Sequence, residues 1–137
     1  MYALIIDDSR AMRRILRKIV EPIGFTILEA GDGREGLQRL AEHHPDVELT
    51  LVDWNMPVLN GLEFVKAVRA DDQYLQIKIA MVTSETEPVK MARALMAGVD
   101  EFIIKPFTSE FLIEKLRLIG VQCPDAVGPL PINSGSA

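Results

Sequence analysis

Leu49-Thr50-Leu51-Val52-Asp53-Trp54-Asn55-Met56-Pro57 is a short apolar run that ends on an aspartate and breaks into a turn. A run of this length, bounded by turn residues, fits a strand buried on both faces of a sheet. The same pattern recurs elsewhere: Tyr2-Ala3-Leu4-Ile5-Ile6 ends on Asp7-Asp8, and Phe102-Ile103-Ile104 ends on Lys105-Pro106. Along the chain such runs predict strands at 2–6, 25–30, 48–53, 77–82 and 101–105. Amphipathic stretches predict helices at 10–22, 33–43, 61–70, 87–97 and 108–119. Strict alternation with short connections implies an α/β fold, a doubly wound five-stranded parallel sheet with five helices. In such a sheet the carboxyl ends of the strands share one edge, where ligands bind. Asp7, Asp8, Asp53 and Lys105 are therefore expected to meet there.

Local signals agree with this parsing. Met12, Ile15, Leu16 and Ile19 recur at helical spacing, and Pro22 and Gly24 close that helix. Pro88 suits a first helical turn and Gly98 the position past a helix end. Thr108 is placed to cap the fifth helix. The 137 residues suit one domain, expected over 1–119. Residues 120–137 hold three Pro, three Gly and a single charge, Asp125, and predict a disordered tail, a linker or residues added in cloning.

A net charge of -5 argues against non-specific nucleic-acid binding, so no direct nucleic-acid partner is expected. No apolar run approaches the ~20 residues of a membrane span, so membrane insertion is not expected either. The chain opens on a strand without a signal-peptide pattern, and its one cysteine, Cys123, excludes an internal disulfide. These features predict a cytoplasmic protein.

Three carboxylates crowded at one edge repel one another unless a cation joins them. With Lys105 they sum to a charge of about -2, which one Mg²⁺ neutralises; this ion takes oxygen ligands, typically one or two carboxylates plus water and phosphate oxygens. A carboxylate also serves as a nucleophile toward phosphoryl groups, forming an aspartyl phosphate. A lysine can then balance the phosphoryl charge.

Asp7-Asp8, the Asp53…Met56-Pro57…Gly61 segment, Thr83 after Met81-Val82, and Lys105-Pro106-Phe107 together resemble the receiver domain of bacterial two-component response regulators. Asp53-Trp54-Asn55-Met56-Pro57 and Met12-Arg13-Arg14 are similar to its CheY-like members. The resemblance covers residues 2–119 and implies a flavodoxin-like, CheY-like fold. It implies that Asp53 takes a phosphoryl group from the phosphohistidine of a histidine kinase or phosphotransfer protein. Asp8, Asp53 and the main-chain carbonyl of Asn55 would hold Mg²⁺, with Asp7 assisting through water. Lys105 would pair with the phosphoryl group and Thr83 would donate its hydroxyl to it. The Lys105–Pro106 bond is expected to be cis. Such a chain is a signalling phosphoacceptor, not an enzyme with a separate substrate.

Thr83 and Phe102 are the expected switch pair, Phe102 standing where many members carry Tyr, although burial as plain core is the simpler reading of Phe102. Asn55 and Glu85 stand where the family flanks the path of hydrolytic water, which implies a phosphoryl state lasting seconds to minutes. In the fifth helix, Leu112, Leu116 and Ile119 suffice as a buried stripe, leaving Phe111, Ile113 and Leu118 in surplus. Lys90, Met91 and Ala94 are assigned to the outer face of the fourth. The surface of helix 4, strand 5 and helix 5 is thus expected to meet a downstream protein or a second copy of the chain. Arg10, Arg13, Arg14, Arg17 and Lys18 make the first helix basic, either a solvated face or one that steers a partner. His43-His44 is read as surface, not as a metal site.

Rival readings remain. One is an isolated receiver from a longer regulator with a DNA-binding or enzymatic output. Another is an aspartate-nucleophile phosphatase, which usually carries Asp-x-Asp after its first strand, whereas Asp53 follows the third and position 55 is Asn. A flavodoxin-like cofactor carrier needs a phosphate-cradling loop where Asp7-Asp8-Ser9 is acidic.

Overall fold

The computed structural model describes residues 1–123. Strands β1 (Tyr2–Ile6), β2 (Thr26–Ala30), β3 (Val47–Val52), β4 (Lys78–Thr83) and β5 (Glu101–Ile104) form one sheet in the order β2-β1-β3-β4-β5. Every pairing is parallel. Helices α1 (Arg10–Val20), α2 (Gly33–His43), α3 (Gly61–Arg69), α4 (Pro88–Ala97) and α5 (Ser109–Leu118) supply the crossovers and the last layer. The order reverses direction between β1 and β3, so the crevice at their carboxyl ends is the topological switch point.

Alternate strand residues serve opposite layers, because side chains alternate across a strand. Ala3, Ile5, Leu49, Leu51, Ala80, Val82 and Ile103 pack with Leu16 and Val20 of α1 and Leu112 and Leu116 of α5. Leu4, Ile6, Val52, Ile79, Met81 and Phe102 pack with Leu40 of α2, Phe64, Val65 and Val68 of α3 and Ala94 of α4. The apolar runs are continuous because both faces of these strands are covered.

Each helix start has an identifiable cause. Ser9, Asp32 and Thr108 cap α1, α2 and α5 through their side chains. Asn60 and Glu63 form a reciprocal capping box on α3. Pro88 opens α4, and Gly98 closes it in the left-handed region at φ 117°. The first helix stops at Val20, short of the expected 22, and Pro22 lies in a 3-10 turn at Glu21–Ile23. Ile15, expected on the apolar stripe of α1, is 47% exposed. It sits about 100° around the helix from Leu16, beyond the reach of the core. Val121, past the expected domain end at 119, is buried against the α1/α5 layer. Residues 124–137, most of the expected tail, lie outside the described residues.

On the edge opposite the acids, one side chain joins several segments. Arg69 donates from Nε to the Gly98 carbonyl at 3.1 Å, from Nη1 to the Tyr74 carbonyl at 3.2 Å and from Nη2 to Asp100 Oδ2 at 3.1 Å. Asp100 Oδ2 also accepts the Ile79 N–H at 2.8 Å, so the start of β4 is tied into the same junction.

Thr50, in the middle of β3, is fully buried and its hydroxyl has no hydrogen-bond partner among the described residues. A buried hydroxyl without a partner costs about 1–3 kcal/mol of desolvation. Thr50→Val keeps the branched shape and removes the polar atom, so it should stabilise the fold by about 1–2 kcal/mol. Urea unfolding checks this; a midpoint that does not rise would mean that something satisfies the hydroxyl.

Candidate functional site

The switch-point crevice gathers the acids. β1 ends at Ile6 and β3 at Val52, so Asp7 and Asp53 are the first residues beyond neighbouring strands. Both stay attached to the sheet: the Asp7 N–H donates to the Ala30 carbonyl at 3.1 Å and the Asp53 N–H to the Ile6 carbonyl at 3.0 Å. Lys105 follows β5 and is fixed by its N–H on the Thr83 carbonyl at 2.9 Å. Its ammonium lies 3.0 Å from Asp7 Oδ2 and 3.3 Å from Asp53 Oδ2. The Lys105–Pro106 bond is cis, and so is His44–Pro45.

Asp7, Asp8 and Asp53 each place a carboxylate oxygen within 4.8 Å of the others. Asp7 and Asp53 are buried and Asp8 is exposed. The other oxygens of the buried pair are also committed, Asp7 Oδ1 to the Ser9 N–H at 2.9 Å and Asp53 Oδ1 to the Trp54 N–H at 2.7 Å. Asp8 makes no hydrogen bond or ion pair among the described residues. Three hard oxygen donors, one open to solvent, suit a cation that keeps part of its water shell, as Mg²⁺ does. A cleft of about 490 Å³ opens beside them, lined by Asp8, Trp54, Asn55, Met56, Pro57 and Asn60.

Lys105 experiences opposing influences. Burial alone lowers its pKa, but the hydrogen bond to Asp7 and the charges of Asp53 and Asp7 outweigh this and raise it above the ordinary value. The ammonium therefore stays charged through the neutral range. With the folded-state pKa raised, its stabilising contribution is fully present below the unfolded value of about 10.4. That contribution is lost only as pH climbs through the folded value, on the alkaline side.

The loop after Asp53 has little freedom. Gly61 donates its N–H to the Trp54 carbonyl at 2.9 Å. A Cβ on Gly61 would collide with the Asp53 carbonyl and come within 2.9 Å of Trp54 Cα, so only glycine lets α3 begin this close to the acid. The turn between them leaves Val58 at φ 69°, a region that a β-branched residue disfavours.

Thr83 ends β4, fully buried, and its Oγ1 accepts the Glu85 N–H at 3.2 Å. The register pairs Met81 with Phe102 and Thr83 with Ile104, so Thr83 and Phe102 share the face covered by α3 and α4. Phe102 is 7% exposed and sits in that core. Glu85 turns its carboxylate toward α4, accepting the Glu87 N–H at 3.0 Å and pairing with Lys90 at 3.3 Å. The Glu87 N–H, opposed by partial burial and helped by Lys90, lowers the Glu85 pKa. Asn55 is exposed on the cleft.

Two surface expectations need correction. Ala94 is fully buried and Met91 packs against the core, so they do not form the outer face of α4. That face instead exposes Val89, Leu95 and Met96, because α4 is rotated to seat Ala94 on the sheet. On α5, Phe111 and Leu118 are exposed as expected, but Ile113 packs on the α1/α5 layer. The basic helix divides by role. Arg13 and Arg17 grip Glu29 at 2.9 and 3.1 Å, while Arg10, Arg14 and Lys18 are exposed. Arg13 also donates to the Asp7 carbonyl at 2.6 Å, a contact that sequence reasoning missed because the partners lie on different elements. His44 bonds the Gln73 carbonyl at 2.9 Å, and the His43 ring packs on Tyr2.

The response regulator receiver domain family model matches residues 3–117. The chain is 42% identical over 120 residues to the chemotaxis protein CheY1 of Helicobacter pylori, covering 87% of this chain and 96% of that protein. It is 44% identical over 118 residues to the chemotaxis protein CheY homolog of Campylobacter jejuni, covering 85% and 90%. Among solved structures, the chemotaxis response regulator CheY4 of Vibrio cholerae superposes with a TM-score of 0.79 at 35% identity, covering 86% and 97%. No helix among the described residues is long and apolar enough to cross a membrane.

Proposed function

Because this chain belongs to the response regulator receiver domain family, a family of signalling proteins with the CheY fold, we propose that Asp53 accepts a phosphoryl group from the phosphohistidine of a histidine kinase or phosphotransfer protein. The observation that carries this reading is the Lys105 ammonium set between Asp7 and Asp53, beside an exposed Asp8. An Asp53 carboxylate oxygen attacks phosphorus, the new O–P bond forms as the donor's N–P bond breaks, and the imidazole leaves. Lys105 then follows the phosphoryl oxygens and offsets their charge. Asp8, Asp53 and the Asn55 carbonyl would hold Mg²⁺, with Asp7 reaching it through water. When bound, the ion would neutralise the acids and the incoming phosphoryl oxygens. Intact-mass measurement after incubation with acetyl phosphate and Mg²⁺ tests the reading: one added phosphoryl group supports it, and none sinks it.

Phosphorylation adds about -1.5 to -2 charge and three acceptor oxygens next to β4. Thr83 has no acceptor for its hydroxyl hydrogen among the described residues, so a phosphoryl oxygen is a natural partner. Drawing Thr83 inward strains its bond from the Glu85 N–H, and Glu85 is tied to α4 through Glu87 and Lys90. The exposed Val89, Leu95 and Met96 of α4 and Phe111 and Leu118 of α5 form the output face, toward a downstream protein or a second copy. The curated relatives are chemotaxis proteins matched over most of their length, which supports a single-domain role in chemotactic signalling.

Thr83→Ala should still take up phosphoryl but transmit less of it. One charge-assisted hydrogen bond contributes about 1.5–3 kcal/mol, a large share of the ~5.5 kcal/mol needed to shift a population from 1:99 to 99:1. Hydrogen exchange across 84–104 should respond markedly less than in wild type; an undiminished response contradicts the coupling. The phosphoryl lifetime is proposed to be set by Asn55 and Glu85. Lys90 keeps the Glu85 carboxylate turned toward α4, which leaves water a route to the phosphoryl group. Replacing both by bulkier or basic residues should lengthen the seconds-to-minutes lifetime several-fold, read as decay of the phosphorylated mass; an unchanged decay removes these positions from the clock.

A further inference from the structure

We propose that Arg13 is a positioning residue for the metal site, acting through the main chain between Asp7 and Asp8. This inference rests on the reading of Asp7, Asp8 and Asp53 as a Mg²⁺ site. Arg13 Nη1 donates to the Asp7 carbonyl oxygen at 2.6 Å, a charge-assisted bond to the peptide unit from which Asp8 projects. That peptide plane sets the direction of Asp8, whose side chain has no hydrogen bond of its own among the described residues. Asp7 is fixed at its other polar atoms, by Ala30, Ser9 and Lys105. Its carbonyl is its one remaining polar atom, and Arg13 holds it.

The guanidinium is itself held. Its Nε donates to Glu29 Oε1 at 2.9 Å, and Arg17 anchors the other oxygen of Glu29 at 3.1 Å. The Arg13 side chain is only 16% exposed, unlike the neighbouring Arg10 and Arg14. Glu29 also screens a positive charge that would otherwise repel a cation beside it. The arrangement is a chain from β2 through α1 to the β1 turn, in the manner of outer partners that orient metal ligands.

Geometry and charge make opposite forecasts. Deleting a nearby cation should by itself tighten Mg²⁺ binding, whereas freeing the Asp8 turn should weaken it. Titration of the whole chain with Mg²⁺ alone, followed by Trp54 fluorescence, should show Arg13→Ala binding about 10- to 100-fold more weakly than wild type. Arg13→Lys should recover part of the loss, since an ammonium reaches the carbonyl but cannot grip Glu29 as well. Glu29→Gln, which loosens the anchor, should weaken binding to a lesser degree. Equal or tighter binding by Arg13→Ala, with Asp8→Ala impaired, overturns this proposal alone. No Mg²⁺ response in wild type overturns both it and the metal reading beneath it. Should Arg13→Ala fail to fold, Arg13→Lys and Glu29→Gln carry the test, and unchanged affinity in both overturns it.

Discussion

An Asp53→Asn chain incubated with acetyl phosphate and Mg²⁺ should gain no phosphoryl group, while wild type gains one. The substitution replaces a carboxylate nucleophile by an amide of nearly the same shape, which forms no acyl phosphate. It leaves the scaffold in place. The amide oxygen can still accept the Trp54 N–H now bonded to Asp53 Oδ1, and the main-chain bond to Ile6 does not involve the side chain. Neither remaining acid is equipped to substitute. Asp7 is 1% exposed, with one oxygen on Ser9 and the other on Lys105. Among the described residues Asp8 forms no ion pair with Lys105, which pairs with Asp7 and Asp53 and would have to balance the transferred charge. Labelling should therefore fall to background, and intact-mass measurement reads it directly. Undiminished labelling would move the phosphorylation site away from Asp53.

The second large effect is expected at Asp8. Asp8→Ala should weaken Mg²⁺ binding by about a hundredfold or more, exceeding the 10–100-fold typical of residues that only orient ligands. The reason is how the three acids are employed. Asp7 and Asp53 share Lys105 and spend their remaining oxygens on main-chain N–H groups, so each enters the site already partly neutralised. Asp8 is the exposed acid with neither a hydrogen bond nor an ion pair among the described residues. Removing it takes away the donor that needs no rearrangement to bind. The same exposure means that the fold should survive, with the urea midpoint little changed, so lost affinity is attributable to the site. Calorimetric titration or Trp54 fluorescence gives the number; an affinity equal to wild type would place the metal elsewhere.

Most of the fold was legible because its cues are local. Five apolar runs punctuated by Gly, Pro and acids locate the strands to within a residue or two, and continuous hydrophobicity implies burial on both faces. The acids and Lys105 were legible for the same reason, since a residue directly after a strand in a parallel sheet must lie on its carboxyl edge. Errors fell where helical rotation mattered. Met91 and Ala94 face the core and Ile15 faces solvent, against expectation, although the helices lie where the pattern places them. Periodicity says that a helix has an apolar side but fixes the angle of that side only to within a residue's turn. Small residues such as Ala94 carry almost no signal of which way they face.

What the sequence by itself determined is the alternation of elements, the parallel sheet, and the meeting of Asp7, Asp8, Asp53 and Lys105 at one edge. All of that follows from short-range patterns and one topological rule. Only the tertiary structure decided that Lys105 bridges Asp7 and Asp53, that Arg13 leaves the basic face to hold the Asp7 carbonyl, and that Glu85 is drawn to α4 by Lys90. It also decided that Arg69 ties α3 to the loops around β4, and that Thr50 is sealed without a partner among the described residues. The physical reason is shared by most of these. A hydrogen bond forms within a few tenths of an ångström or not at all. Asp7, just past β1 and 98 residues from Lys105, reaches that distance only once strand register and sheet twist are set. Local pattern brings such groups to the same edge; packing of the whole chain chooses which of them touch.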